Sequence, residues 1–272
     1  MYVIRFPALP ADTARATESA FGNEHPYLKI GERLEEVFFN VDIAFLASSE
    51  QELANTLWPY ALATILQYWE DLTDFQMANA TRTRLDLKYA MHLPMNFPGF
   101  EPSALCKFRQ HLQVSAAGRE VLQKIITRLA DFVPTQEQQP VAANVIVSEV
   151  CARRHWEIVM VTMSNAIESL AASQPAWLRS IALPHWFKRY GKRVVALNRK
   201  RTSKNIQSMI LAAGQDGQYI LNAVETSSLT AVKQTREIQM MAQVWPLLFK
   251  MAQGQLILNA ITCSSCPARF DK

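Results

Sequence analysis

Leu66-Gln-Tyr-Trp-Glu-Asp-Leu-Thr-Asp-Phe-Gln-Met-Ala-Asn-Ala-Thr-Arg-Thr-Arg-Leu-Asp-Leu-Lys-Tyr-Ala90 contains the end of one helix, a cap and a second helix. Upstream, Trp58, Leu62, Ile65, Leu66 and Trp69 fall on one helical stripe. Thr73 stands as the N-cap of a helix over residues 74–90, with Asp74 at the positive end of its dipole. The same grammar extends outward. Leu34, Val37, Phe38, Val41 and Phe45 form another stripe. Pro94, Pro98, Gly99 and Pro102 mark a loop, and Ser103 caps a short helix over 104–112. A further helix is expected over 118–131. Residues 1–26 are Pro- and Ala-rich without period and read as an irregular arm.

The polar, Pro-bounded run 133–140 is the expected boundary between a helical domain, 27–132, and a second region, 141–272. There, residues 141–150 read as a strand or a helix start. Trp156, Val159, Met160, Met163, Ile167 and Leu170 form a helical stripe. Gly214-Gln-Asp-Gly217 reads as a turn, and 238–248 as a helix interrupted at Pro246. The fold class is mainly α.

With 272 residues, 49% of them apolar and 19% charged, collagen-like and disordered classes are excluded. Only 8 residues are Gly, which argues against glycine-rich phosphate loops, and none of their motifs is present. The five histidines are scattered, and no nucleophile elbow occurs. Cys263 and Cys266 have the spacing of half a zinc site without a second pair, so no metal is expected from them. The N-terminus lacks the basic-then-apolar pattern of a signal peptide, and no apolar run approaches a membrane span. A cytoplasmic protein with no membrane partner is the expectation. Glu32, Glu35, Glu36, Glu70, Asp71 and Asp74 read as wet helix faces.

Charge is concentrated at 188–204. Lys188, Arg189, Lys192, Arg193, Arg199, Lys200, Arg201 and Lys204 put eight cations in seventeen residues with no acid. The whole chain is +4, so the remainder carries −4. Such a run attracts polyanions, since each neutralised phosphate releases counterions. Trp186, Phe187 and Tyr190 interleave with it and could lie against sugars or bases. In the helix over 104–112, Leu105, Phe108 and Leu112 make an apolar face, with Lys107, Arg109, Gln110 and His111 mostly opposite. That arrangement suits groove reading as well as it suits an ordinary surface helix.

Residues 66–90 resemble a signature of bacterial insertion-sequence transposases of the DDE class with an InsH-like N-terminal domain: an apolar helix, Leu-Thr-Asp-Phe-Gln, Arg-x-Arg-Leu-Asp and Lys-Tyr-Ala. The similarity continues through Pro98-Gly-Phe-Glu-Pro-Ser103 and Leu105-Cys-Lys-Phe-Arg109. Further matches are Ala176-Trp-Leu-Arg179, His185-Trp186 and Arg189-Tyr-Gly-Lys-Arg193, with weaker ones at 214–217 and 244–245. The resemblance implies a helical DNA-binding domain followed by a ribonuclease-H-like core, in which two Asp and one Glu hold two Mg²⁺ ions. Where the family's first catalytic Asp is expected, this chain has Ala142. The other two carboxylates are expected beyond this chain. The resemblance therefore implies a truncated, catalytically degenerate member. Its region 141–272 would be a partial ribonuclease-H-like core, rearranged or helical, with no catalytic residue and no metal.

The expected DNA-contacting residues are Lys107, Arg109, Gln110, Lys188, Arg189, Lys192, Arg193, Arg199, Lys200, Arg201 and Lys204. The expected partner is double-stranded DNA, such as terminal inverted repeats, in the bacterial nucleoid. A homo- or hetero-oligomer with a transposase is also expected. The role would be that of a regulator or inhibitor of transposition, or of a remnant. The alternative is a helical interaction module that pairs with a full-length transposase without touching DNA, with Trp156, Met160, Met163, Met240 and Met241 at an interface or in the core.

Overall fold

Thr73 caps its helix as the spacing requires. Its hydroxyl accepts from the Gln76 N–H at 3.3 Å, and the Gln76 side chain accepts from the Thr73 N–H at 2.9 Å, a reciprocal capping box. A computed structural model of the chain describes residues 6–22, 24–39, 41, 51–130, 141–191 and 203–259. The chain divides into two compact units, the first ending at Val150 and the second beginning at Cys151.

The first unit contains α1 (Ala11–Phe21), α2 (Pro26–Glu32), α3 (Leu34–Val37), α4 (Gln51–Trp69), α5 (Asp74–Thr83), α6 (Leu85–Ala90), α7 (Pro102–Val114) and α8 (Ala116–Ala130). Leu34, Val37, Phe38 and Val41 are all buried, but the helix they start is only one turn long. Leu62, Ile65 and Leu66 of α4 are fully buried, as the stripe predicts.

Two expectations change here. The arm is partly helical. Its α1 buries two threonines: the Thr13 hydroxyl donates to the Leu93 carbonyl at 2.9 Å and the Thr17 hydroxyl to that of Leu85 at 3.4 Å. Polar anchors leave no hydrophobic period to read. The single helix over 74–90 is broken at Arg84, which is extended at φ −98°, ψ 126°. No Pro or Gly marks that break. It coincides with a residue whose guanidinium bonds on both sides of it.

Helix α9 (Ala143–Ser173) resolves the ambiguity over 141–150 in favour of helix. The second unit takes α9 from Cys151 onward and continues with α10 (Pro175–Ile181), α11 (Pro184–Tyr190), α12 (Ser203–Thr226), α13 (Thr230–Lys233), α14 (Arg236–Leu248), β1 (Phe249–Ala252) and β2 (Gln255–Leu258). Its core joins Trp156, Val159, Met160 and Met163 of α9 to Ile210 and Ile220 of α12 and to Met241 and Trp245 of α14. Trp156, Met160, Met163 and Met241 thus pack inside their own unit, and Met240 is half-buried.

Strands β1 and β2 form an antiparallel hairpin with Phe249 opposite Leu258 and Ala252 opposite Gln255. Gln253 and Gly254, both at positive φ (52° and 77°), close it as a two-residue loop. Of the sheet that a ribonuclease-H-like core implies, the described residues contain this hairpin alone. The fold is mainly α. No helix of the described residues is long and apolar enough to cross a membrane.

The expected turn at 214–217 is also corrected, because it lies within α12. A Cβ on Gly214 would come 2.4 Å from Phe249 Cε1, and one on Gly217 2.0 Å from Trp245 Cζ2. These glycines are there for close packing of α12 under two aromatic rings, a use that local sequence does not distinguish from a turn.

Candidate nucleic-acid interface

Helix α7 presents its apolar face as expected, with Leu105, Phe108 and Leu112 buried. Arg109 lies on that same side, four residues after Leu105. It is 0% exposed, and Asp74, at the first position of α5, is buried to the same degree. The Arg109 guanidinium donates to Asp74 at 2.6 Å and to Gln67 Oε1 at 3.2 Å. Gln67 Nε2 in turn donates to Asp74 at 2.8 Å. This triad ties α4, α5 and α7 together. It corrects two expectations at once: Arg109 is not on a face open to a duplex, and Asp74 is not on a wet face. The i, i+4 relation to Leu105 was the available signal. The outward stripe is Lys107, exposed, with Gln110, half-buried, then His111 and Val114, both exposed.

A second network joins α2 to the α5–α6 break. The Tyr27 hydroxyl donates to Glu70, and the Arg84 guanidinium bonds both Glu70 and Asp86, the latter at 2.6 Å. Burial raises the Tyr27 pKa, and the Glu70 charge raises it further. Burial disfavours the Arg84 charge, but hydrogen bonds to Asp86 and Glu70 outweigh that and raise its pKa. Glu70 too is therefore part of a partner network. Asp74, Arg84 and Asp86 of the sequence signature thus build the helical framework through buried and half-buried ion pairs, while Arg82 is exposed.

In the second unit, α11 is fixed to α12 by one carboxylate. Asp216, 6% exposed, accepts from Tyr190 Oη at 2.7 Å and from the Arg189 guanidinium, and pairs with His185 Nε2 at 3.0 Å. Burial pushes the Asp216 carboxyl up, but hydrogen bonds from His185 and Tyr190 and the Arg189 charge outweigh it. The pKa lies below the usual carboxylate value. Tyr190 is raised by burial and by Asp216. No sequence signal pairs His185 with a residue 31 positions away.

Of the eight cations at 188–204, Lys188 is exposed and Arg189 is engaged with Asp216. Lys192, Arg193, Arg199, Lys200 and Arg201 lie outside the described residues, as do the side chain of Lys204 and both Cys263 and Cys266. Of the interleaved aromatics, Trp186 and Tyr190 are buried at 4% and 6%, whereas Phe187 is 85% exposed.

Ala142 is exposed immediately before α9, and its carbonyl accepts the first-turn N–H groups of Val145 and Ile146. Its methyl group offers no metal donor. Among the described residues no three His, Cys, Asp or Glu side chains are grouped to hold a metal ion. The described residues do not fit the divalent ions that the resemblance implies.

No curated protein and no solved structure matches the chain. Residues 16–111, which contain both ion-pair networks of the first unit and Lys107, Gln110 and His111 of α7, match the family described as a transposase domain (DUF772), and this part of the chain is transposase-related.

Proposed function

We propose that the chain is a transposase-derived DNA-binding protein that holds double-stranded DNA without cleaving or joining it, and so regulates or inhibits transposition. The observation that carries this reading is the transposase-domain match over residues 16–111. It is supported by the exposed Lys107 and the half-buried Gln110 on α7, a helix whose other face is buried. The acid-free cationic run 188–204 supports it further. Terminal inverted repeats are the natural target, and the bacterial nucleoid is the expected place of action. The non-catalytic part rests on Ala142, which stands where the resemblance expects the first metal-holding Asp.

Titration of labelled duplex at two salt concentrations tests the binding. Affinity should fall steeply with salt, with the logarithmic slope reduced by roughly 0.9 for each cation contact removed from Arg199, Lys200 and Arg201. Absence of salt-sensitive binding would overturn the reading in favour of the interaction module, which a nuclease-resistant pull-down of a transposase would then support. Strand nicking or transfer that depends on Mg²⁺ or Mn²⁺ would overturn the non-catalytic part.

A further inference from the structure

Three aromatics accompany the cationic run, and the structure separates them. Trp186 packs in the core, with its ring 6.1 Å from that of Tyr219 in an edge-on arrangement. Tyr190 is buried with its hydroxyl on Asp216. Phe187 is 85% exposed. By helical spacing it shares an outward stripe with Pro184, Lys188 and Gly191, all exposed.

A single exposed apolar side chain is ordinary. Two observations distinguish this one. First, α11 cannot turn to bury Phe187, because Trp186 and Tyr190 are buried and Asp216 holds His185, Arg189 and Tyr190 together. The ring is held outward by a fixed helix. Second, the next residue is an exposed Lys, and the sequence has no acid anywhere between Glu168 and Asp216. An outward aromatic face beside an exposed cation, with no competing carboxylate in its own stretch of chain, matches the two demands of unpaired nucleic acid: a ring for the base and a cation for the phosphate. An intact duplex offers the cation its phosphates but hides its base faces in the stack.

We infer that Phe187 is a stacking platform for an unpaired base of single-stranded DNA, with Lys188 at the adjoining phosphate. The inference rests on the DNA-binding reading above and adds a strand-state preference to it. A merely electrostatic surface would be indifferent to loss of the ring.

The test uses the full chain with a single-stranded oligonucleotide carrying 2-aminopurine, and the same sequence as a duplex. Phe187→Ala should weaken single-strand binding about tenfold and abolish the change in 2-aminopurine fluorescence on binding. Phe187→Trp should retain both. Duplex affinity and the salt slope should stay unchanged, and the exposed position leaves the fold in place. Single-strand affinity in Phe187→Ala equal to that of the parent overturns the platform and leaves the DNA-binding reading standing. An equal loss on duplex also overturns it and points to a groove wedge. Failure of the parent to bind either form overturns both.

Discussion

The sharpest test of the first unit is the charge buried inside it. Asp74 and Arg109 are fully buried and 2.6 Å apart, and Gln67 bonds to each of them. Water reaches neither charge, so removing one leaves the other ionised in a poorly polarisable interior. Breaking such a pair costs about 3–5 kcal/mol. Asp74→Ala and Arg109→Ala should each fall in that range. At about 2–4 °C per kcal/mol for a unit of this size, the melting temperature should drop by about 6–20 °C. The double variant Asp74→Leu/Arg109→Met removes both charges together and should recover much of the loss, because a buried pair is close to neutral against apolar groups of similar volume. Recovery will be incomplete, since Gln67 is then left without partners at about 1–3 kcal/mol. Urea unfolding of the full chain followed by circular dichroism measures all three. If Arg109→Ala leaves the transition in place but weakens binding to duplex DNA, Arg109 is a surface contact and the burial argument is wrong.

The other predictions concern single residues. Gly217→Ala should destabilise the second unit by about 1–3 kcal/mol through overpacking, because its Cβ meets Trp245 and Met241 at 2.0 and 2.5 Å. An unchanged thermal melt would refute the close approach. The Asp216 carboxyl has a folded pKa below its ordinary value, so its stabilisation is complete above that ordinary value and is lost as pH falls through the lower folded one. Below about pH 4, Asp216→Asn should flatten the acid sensitivity of tryptophan fluorescence from Trp186 and Trp245. Identical acid profiles would count against the cluster. Lys107→Ala should alter sequence preference, or lower affinity uniformly if it meets only phosphate, at unchanged stability. A melting transition displaced by several degrees would instead place Lys107 in the framework.

The apolar stripes of α4, α7 and α9 were legible in the sequence, because burial against a neighbouring helix imposes a 3.6-residue period on side chains of one chemical type. What escaped was burial by polar means. Thr13 and Thr17 anchor α1 through hydroxyls, and Arg84 ends α5 without Pro or Gly. The glycines of α12 owe their place to rings on α14 and β1, far along the chain. The site divides the same way. Lys107 was legible as an outward residue of a helix with a known inner face; Phe187 was not, because nothing in the local sequence separates it from Trp186 and Tyr190, which the fold buries. Asp216 was not, because its partners come from another helix and only the fold brings them together.

That division bears on what the signature residues mean. A charged residue in a DNA-binding domain invites the reading that it touches phosphate, and a motif of them invites it more strongly. Yet a buried charge without a partner is among the costliest features a fold can carry, so a charged motif that is sequestered must come as matched sets. Here it does: Glu70 with Arg84 and Asp86, Asp74 with Arg109. The Asp74–Arg109 pair is neutral as seen from outside, and the Glu70–Arg84–Asp86 set has one more carboxylate than cation, so neither attracts a polyanion. Recognition must then come from cations left over after the pairing, and in α7 that is Lys107, on the face opposite the triad. Two related chains could therefore share every residue of the signature, hold the same helices at the same angles, and still differ in what they bind. The difference would lie in outward positions such as 110 and 111, which lie beyond the matching segments.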